Sequence, residues 1–102
     1  MEIEVFKLKE MLENNEVVLL DVREPYETEI CKVMGSLFIP MNEIPRKVEQ
    51  LDKGKSYAVM CHSGVRSLHV TNFLHSQGYR ALNVIGGIDS WAIHVDKNLK
   101  RY

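Results

Sequence analysis

Seven consecutive residues, Cys61-His62-Ser63-Gly64-Val65-Arg66-Ser67, put a thiol, an imidazole, two hydroxyls and a guanidinium around one glycine. A short loop of this make-up, set between a strand and a helix, can turn its backbone N–H groups inward. It then binds anions, and the helix N-terminus adds partial positive charge. The same field stabilises a thiolate, so Cys61 is expected to have a lowered pKa and to act as a nucleophile. Gly64 allows a backbone turn that a Cβ would obstruct. Arg66 offers a planar fork of donors to an anionic substrate, and Ser67 a first-turn or N-cap hydroxyl that can also donate into the loop. The plainer alternative is a buried structural cysteine in an ordinary strand-to-helix turn.

The flanking elements fit that setting. Ser56 to Met60 is uncharged, contains the β-branched Val59 and reads as a strand, and Leu68 to Gln77 reads as a helix closed by Gly78. Upstream, Ile3 to Phe6 predicts a short first strand. Lys7 to Asn15 predicts a helix with Leu8, Met11 and Leu12 on one stripe. Val17-Val18-Leu19-Leu20 is a continuous apolar run, as in a strand buried on both faces of a parallel sheet. It runs into Asp21-Val22-Arg23-Glu24-Pro25, where Pro25 suits the first turn of a helix from Glu24 to about Ile30. Gly35 to Pro40 predicts a turn, a third strand and a proline stop, and Asn42 can cap a helix from Ile44 to Leu51. Arg80 to Ile85 predicts a fifth strand, and Gly86-Gly87 opens a last helix carrying Ile88, Trp91 and Val95 before a polar tail, 96–102. In the helix after the loop, Val70, Phe73 and Leu74 share the face expected to meet the sheet. Alternating strands and helices predict an α/β domain, a parallel sheet covered on both faces. Sites in such sheets lie beyond the strands' carboxyl ends. Asp21 and Cys61 each end a strand and should open onto the same edge.

The 102 residues are read as one domain, with a core from about residue 4 to 95. Apolar residues make up 45% and charged residues 26% of the chain, the globular average, with a net charge of −1 and no basic run. Nucleic acid and anionic membranes are therefore poor partners. No stretch approaches the roughly 18 apolar residues of a membrane span. Met1-Glu2-Ile3-Glu4 is acidic rather than signal-like, and the cytoplasm is the default location. His69, His75 and His94 stand singly without ligand spacing, so no metal is expected.

Cys61-x-x-Gly64-x-Arg66-Ser67 resembles the active-site loop of rhodanese-type sulfurtransferases. The resemblance extends to Asp21-Val22-Arg23-Glu24-Pro25, to Gly35-Ser36-Leu37-Phe38-Ile39-Pro40 and to Gly86-Gly87-Ile88-Asp89-Ser90-Trp91, which are similar to three further signatures of that family in the same order. It implies a three-layer fold whose five-stranded parallel sheet has the order 1-5-4-2-3, with Asp21 beside Cys61. It also implies a cycle in which Cys61 takes a sulfur atom from a donor, holds it as a persulfide and passes it on, with no cofactor. The implied partners are a small-molecule sulfur donor and a thiol, cyanide or sulfur-accepting protein as acceptor.

Within that reading, His62, Ser63, Gly64, Val65, Arg66 and Ser67 form the substrate cradle, and Asp21 and Arg23 support it through an ion pair or hydrogen bonds. Arg66 either anchors an anionic donor or forms a salt bridge with a carboxylate such as Asp21 or Glu24. His62 lies in the part of the loop where family members that use thiosulfate well often carry a second basic residue, so thiosulfate is expected to be a poorer donor here. His62 either shuttles a proton or is a loop side chain without chemistry. Cys31-Lys32 replaces the family's usual Gly-His, so Cys31 is either a resolving thiol or a small packed residue. Two other functions compete. One is a phosphatase or arsenate reductase, disfavoured because only four residues separate Cys61 from Arg66. The other is a non-catalytic interaction module on the same fold.

Overall fold

The computed structural model describes residues 1–102. Five strands, β1 (Glu2–Ile3), β2 (Val18–Asp21), β3 (Leu37–Phe38), β4 (Ser56–Met60) and β5 (Arg80–Val84), form one sheet in the order β1-β5-β4-β2-β3. Every pairing is parallel. The longer helices are α1 (Val5–Glu13), α2 (Pro25–Ile30), α4 (Val65–Ser76) and α5 (Gly87–His94). Between β3 and β4 the chain makes α3 (Ile44–Lys47), with a 3-10 turn at each end. The strand order is the one the family resemblance implies.

Alternation along the strands builds two cores, because successive side chains point to opposite faces. Tyr57, Val59 and Cys61 join Leu20, Val22, Val70 and Leu74 on one face, whereas Ala58 and Met60 join Leu8, Leu19, Val84, Ile88 and Trp91 on the other. The central strands β2 and β4 are covered on both sides, which accounts for their unbroken apolar runs. No helix is long and apolar enough to cross a membrane.

Several boundaries differ from the sequence reading. The first strand is Glu2–Ile3 rather than Ile3 to Phe6, since Val5 is a buried residue of α1. Two residues suffice because Asn83 and Ile85 donate to the carbonyls of Met1 and Ile3 at 2.8 Å each. The third strand shortens to Leu37–Phe38 at the sheet edge, ahead of Pro40. The helix expected from Ile44 to Leu51 keeps α geometry only over Ile44–Lys47. Most consequential for the site, α4 starts at Val65, three residues before Leu68. Val65, Arg66 and Ser67 therefore belong to its first turn.

Candidate active site

The site is assembled at the carboxyl edge of β2 and β4. Asp21 and Met60 are register partners, and Val22 donates its N–H to the Met60 carbonyl at 3.0 Å, so Cys61 leaves the sheet beside the Asp21 strand end. The next backbone carbonyls are clamped by the start of α5. Ile88 donates to the Cys61 oxygen at 2.9 Å and Asp89 to the His62 oxygen at 3.1 Å. This packing is close enough that a Cβ on Gly87 would collide with both carbonyls, and Gly87 has φ +58°. The second glycine of the Gly-Gly pair ahead of Trp91 is thus a steric requirement of the loop that α5 holds.

Gly64, at φ +107°, turns the chain from the loop into α4 and brings its N–H to 3.1 Å from the Cys61 sulfur. One turn into the helix, the Ser67 hydroxyl lies 3.3 Å from the same sulfur. Cys61 is 1% exposed and Ser67 fully buried. Burial alone would push the thiol up. The Ser67 hydroxyl and the backbone N–H groups of Ser67, Gly64 and Ser63 act against it, and the balance holds the pKa below the ordinary cysteine value. A thiol held among N–H donors at a helix N-terminus is in a setting that favours the thiolate form.

Arg66 turns its fork onto α2, donating from Nη1 to Glu27 Oε1 at 2.6 Å and from Nη2 to Glu27 Oε2 at 2.8 Å. The guanidinium, helped by the Glu24 backbone and Tyr102, outweighs burial and holds the Glu27 carboxyl down at about 2. Arg66 is correspondingly raised, by Glu27 first and then, beyond the opposing desolvation, by the nearby Cys61. Arg23, with no exposed surface, is bound to Asp21 through Nε at 3.0 Å and Nη2 at 2.7 Å. It also donates to the carbonyls of Glu27 at 3.2 Å and Cys31 at 2.8 Å. Burial opposes its charge, but the Asp21 carboxylate prevails and the Arg23 pKa is raised. This pair fixes α2 and the stretch after it to the end of β2.

The model of the rhodanese-like domain matches residues 5–94, which span the sheet, the Cys61 loop and α5. The chain belongs to the rhodanese-like domain family. YtwF of Bacillus subtilis is 42% identical over 91 residues, covering 88% of each chain. A sulfurtransferase of Allochromatium vinosum is 37% identical over 85 residues, covering 82% of this chain and 79% of that one. Among solved structures, a rhodanese-related protein of Thermoplasma volcanium is 35% identical, with a TM-score of 0.87 over 92% of each chain. At the level of the family, this is a rhodanese-type sulfurtransferase.

Within this rhodanese-like domain the structure gathers Cys61, His62, Ser63, Gly64, Val65, Arg66 and Ser67 at one strand end, with Asp21 and Arg23 beneath them. Arg66 pairs with Glu27, not with Asp21 or Glu24: Glu24 faces solvent while Glu27 is 2% exposed. Cys31 and Cys61 are both free, and they pack in the cores of opposite sheet faces. No three His, Cys, Asp or Glu side chains come together as metal ligands.

Three residues of the rhodanese-like site escaped the sequence reading. Glu27 is one. Asn83 is another, a buried amide on β5 that contacts both Ser67 and Gly64; its signal was a polar residue inside the apolar run Leu82 to Ile85. The third is Tyr102. Residues 96–102, expected to be a polar tail, return to the loop, and the Tyr102 ring stacks on His62 at 4.1 Å between centroids and 15° between planes. The His62 Nε2 is buried there without a hydrogen-bond partner.

Proposed function

We propose that the domain moves sulfane sulfur from an anionic donor, thiosulfate or a persulfide, to a thiophilic acceptor through a persulfide on Cys61. The observation that carries this reading is the sulfur itself, with the Gly64 N–H at 3.1 Å and the Ser67 hydroxyl at 3.3 Å. The Cys61 thiolate attacks the outer sulfur of the donor, the donor S–S bond breaks, and sulfite or a thiolate leaves with the electron pair. The anionic outer sulfur on Cys61 then lies where the loop N–H groups point, at the start of α4, so its charge is stabilised by fixed dipoles. A cyanide ion or a thiolate attacks that outer sulfur and carries it away, which regenerates the Cys61 thiolate. The cycle is a double displacement without a cofactor.

Arg66 keeps Glu27 and α2 against the loop with two of its five N–H donors. In this proposal the others face the incoming donor. Arg66→Ala is then expected to weaken use of charged donors more than neutral ones, and equal losses would refute that role.

Intact-protein mass spectrometry after incubation with thiosulfate, and separately with glutathione persulfide, tests the proposal. The expected result is a gain of one sulfur that cyanide removes and that Cys61→Ser abolishes. Absence of loading from either donor, or loading that survives Cys61→Ser, would overturn it and favour the non-catalytic module.

A further inference from the structure

The Ser67 hydroxyl has two partners and one proton. Its oxygen lies 2.5 Å from Asn83 Oδ1 and 3.3 Å from Cys61 Sγ. The orientation of the Asn83 amide follows from its other neighbours. Its second terminus faces the Gly64 carbonyl and the Glu2 carboxylate, both at 3.2 Å, and both can only accept. That terminus is therefore the NH₂, and the oxygen faces Ser67. Ser67 must then donate to Asn83 and turn a lone pair toward Cys61, an arrangement complete only while Cys61 is a thiol donating S–H to Ser67.

When the thiol loses its proton to solvent or buffer, a lone pair faces the thiolate. Ser67 can turn its hydroxyl to the sulfur, but Asn83 Oδ1, in a residue 2% exposed, then loses its donor. In a Cys61 persulfide the inner sulfur carries neither proton nor full charge, so the Ser67 proton returns to Asn83. We infer that Asn83 is a positioning residue for Cys61: its side-chain oxygen competes with the sulfur for the Ser67 proton and so limits how readily the thiolate forms.

The charged and titratable groups around the thiol do not take part in this competition. Arg66 of α4 is paired with Glu27 of α2, Asp21 with Arg23 on β2, and Asp89 of α5 with Arg101. Glu2 of β1 lies on the NH₂ side of Asn83, and the His62 ring is stacked on Tyr102. Asn83 also tethers the loop through Gly64, and this purely structural role predicts the opposite sign. Loss of the tether would let the Gly64 N–H drift from the sulfur and disfavour the thiolate, whereas loss of the competing acceptor favours it.

The test is the pH dependence of iodoacetamide alkylation of Cys61, read by intact mass in a Cys31→Ser background that leaves a single thiol. Asn83→Ala is expected to lower the midpoint by about 1 pH unit, a tenfold gain in thiolate fraction below the midpoint. In a Ser67→Ala background the same substitution is expected to move it by less than about 0.3 unit, because no proton is left to compete for. Asn83→Val repeats both measurements if the alanine variant does not fold. A midpoint that rises or stays in place, or a shift that persists without the Ser67 hydroxyl, overturns the inference. It rests on Cys61 being the reacting group. Alkylation reads the thiol without any sulfur donor, so failure of sulfur loading and failure of this coupling are separate results.

Discussion

Tyr102 donates its phenolic proton to Glu27 Oε2 at 2.7 Å across 75 positions of sequence. The phenolic oxygen of Tyr102 in turn accepts from Arg23 Nη1 at 3.1 Å, and its ring covers His62. One side chain thus joins the segment after α5 to the carboxylate that holds Arg66, the arginine that holds Asp21, and the residue after Cys61. Burial and the Glu27 carboxylate, against the pull of Arg23, push the phenol up to about 12, so it stays a donor under ordinary conditions. Arg101 adds a second attachment, at 2.8 and 3.2 Å to Asp89, on the helix that clamps the loop.

Tyr102→Phe keeps the ring on His62 and removes the two hydrogen bonds. Bonds to charged groups contribute more than neutral ones, but partial exposure reduces them, so the expected cost is about 1–2 kcal/mol. For a domain of this length that corresponds to a fall in Tm of roughly 4–8 °C per kcal/mol. Tyr102→Ala should lose more, because the stack over His62 goes as well. Calorimetry on both variants checks the order, and an unchanged Tm in Tyr102→Ala would show that the segment contributes nothing in solution.

Glu27 makes stability depend on acid. Its folded pKa, about 2, lies below the unfolded value near 4.5, so its contribution is fully present above the unfolded pKa and is lost as pH falls from there toward 2. Allowing for the part-exposed Arg66, the loss is roughly 2 kcal/mol across that window. Urea midpoints of the wild type should fall over this range, while those of Glu27→Gln start lower and fall less. Parallel pH profiles for the two proteins would contradict the pairing.

The sheet and the Cys61 loop were legible because parallel strands buried on both faces leave continuous apolar runs, and because the loop's chemistry sits in seven adjacent residues. What stayed hidden is carried by side chains that break the local pattern. Glu27 is a charge turned inward on a six-residue helix that carries no other buried residue, and no periodicity marks it. Tyr102 lies in a stretch whose polar composition gives no sign of docking. Its place depends on a phenol meeting Glu27 and Arg23, a relation between distant residues. The early start of α4 was also hidden, because the Gly64 turn lets loop residues double as helix residues.

Gly87→Ala tests how closely α5 holds the loop. The added Cβ would meet the carbonyl oxygens of Cys61 and His62, which are backbone atoms that cannot rotate away, at a φ of +58° that disfavours a side chain. Moving α5 back would break the Ile88 and Asp89 hydrogen bonds to those carbonyls. A loss of about 3 kcal/mol or more is expected, in the range of buried overpacking combined with backbone strain. Where the variant still folds, the midpoint of Cys61 alkylation should move to higher pH because the N–H groups around the sulfur are displaced. A variant with normal stability and reactivity would show that α5 does not set the loop.

The buried Asp21–Arg23 pair should be costly to halve and much cheaper to remove whole. Arg23 has no exposed surface and makes bonds to Asp21, two backbone carbonyls and Tyr102, so Arg23→Met strands a carboxylate that is 2% exposed. Removing one partner of a buried ion pair typically costs about 3–5 kcal/mol. Arg23→Lys should rescue little, because one ammonium cannot reach four partners set around a planar fork. Asp21→Asn combined with Arg23→Met removes the stranded charge and should recover stability relative to Arg23→Met alone. Denaturant midpoints for the single and double variants measure the coupling, and additive losses would mean that the two side chains act independently.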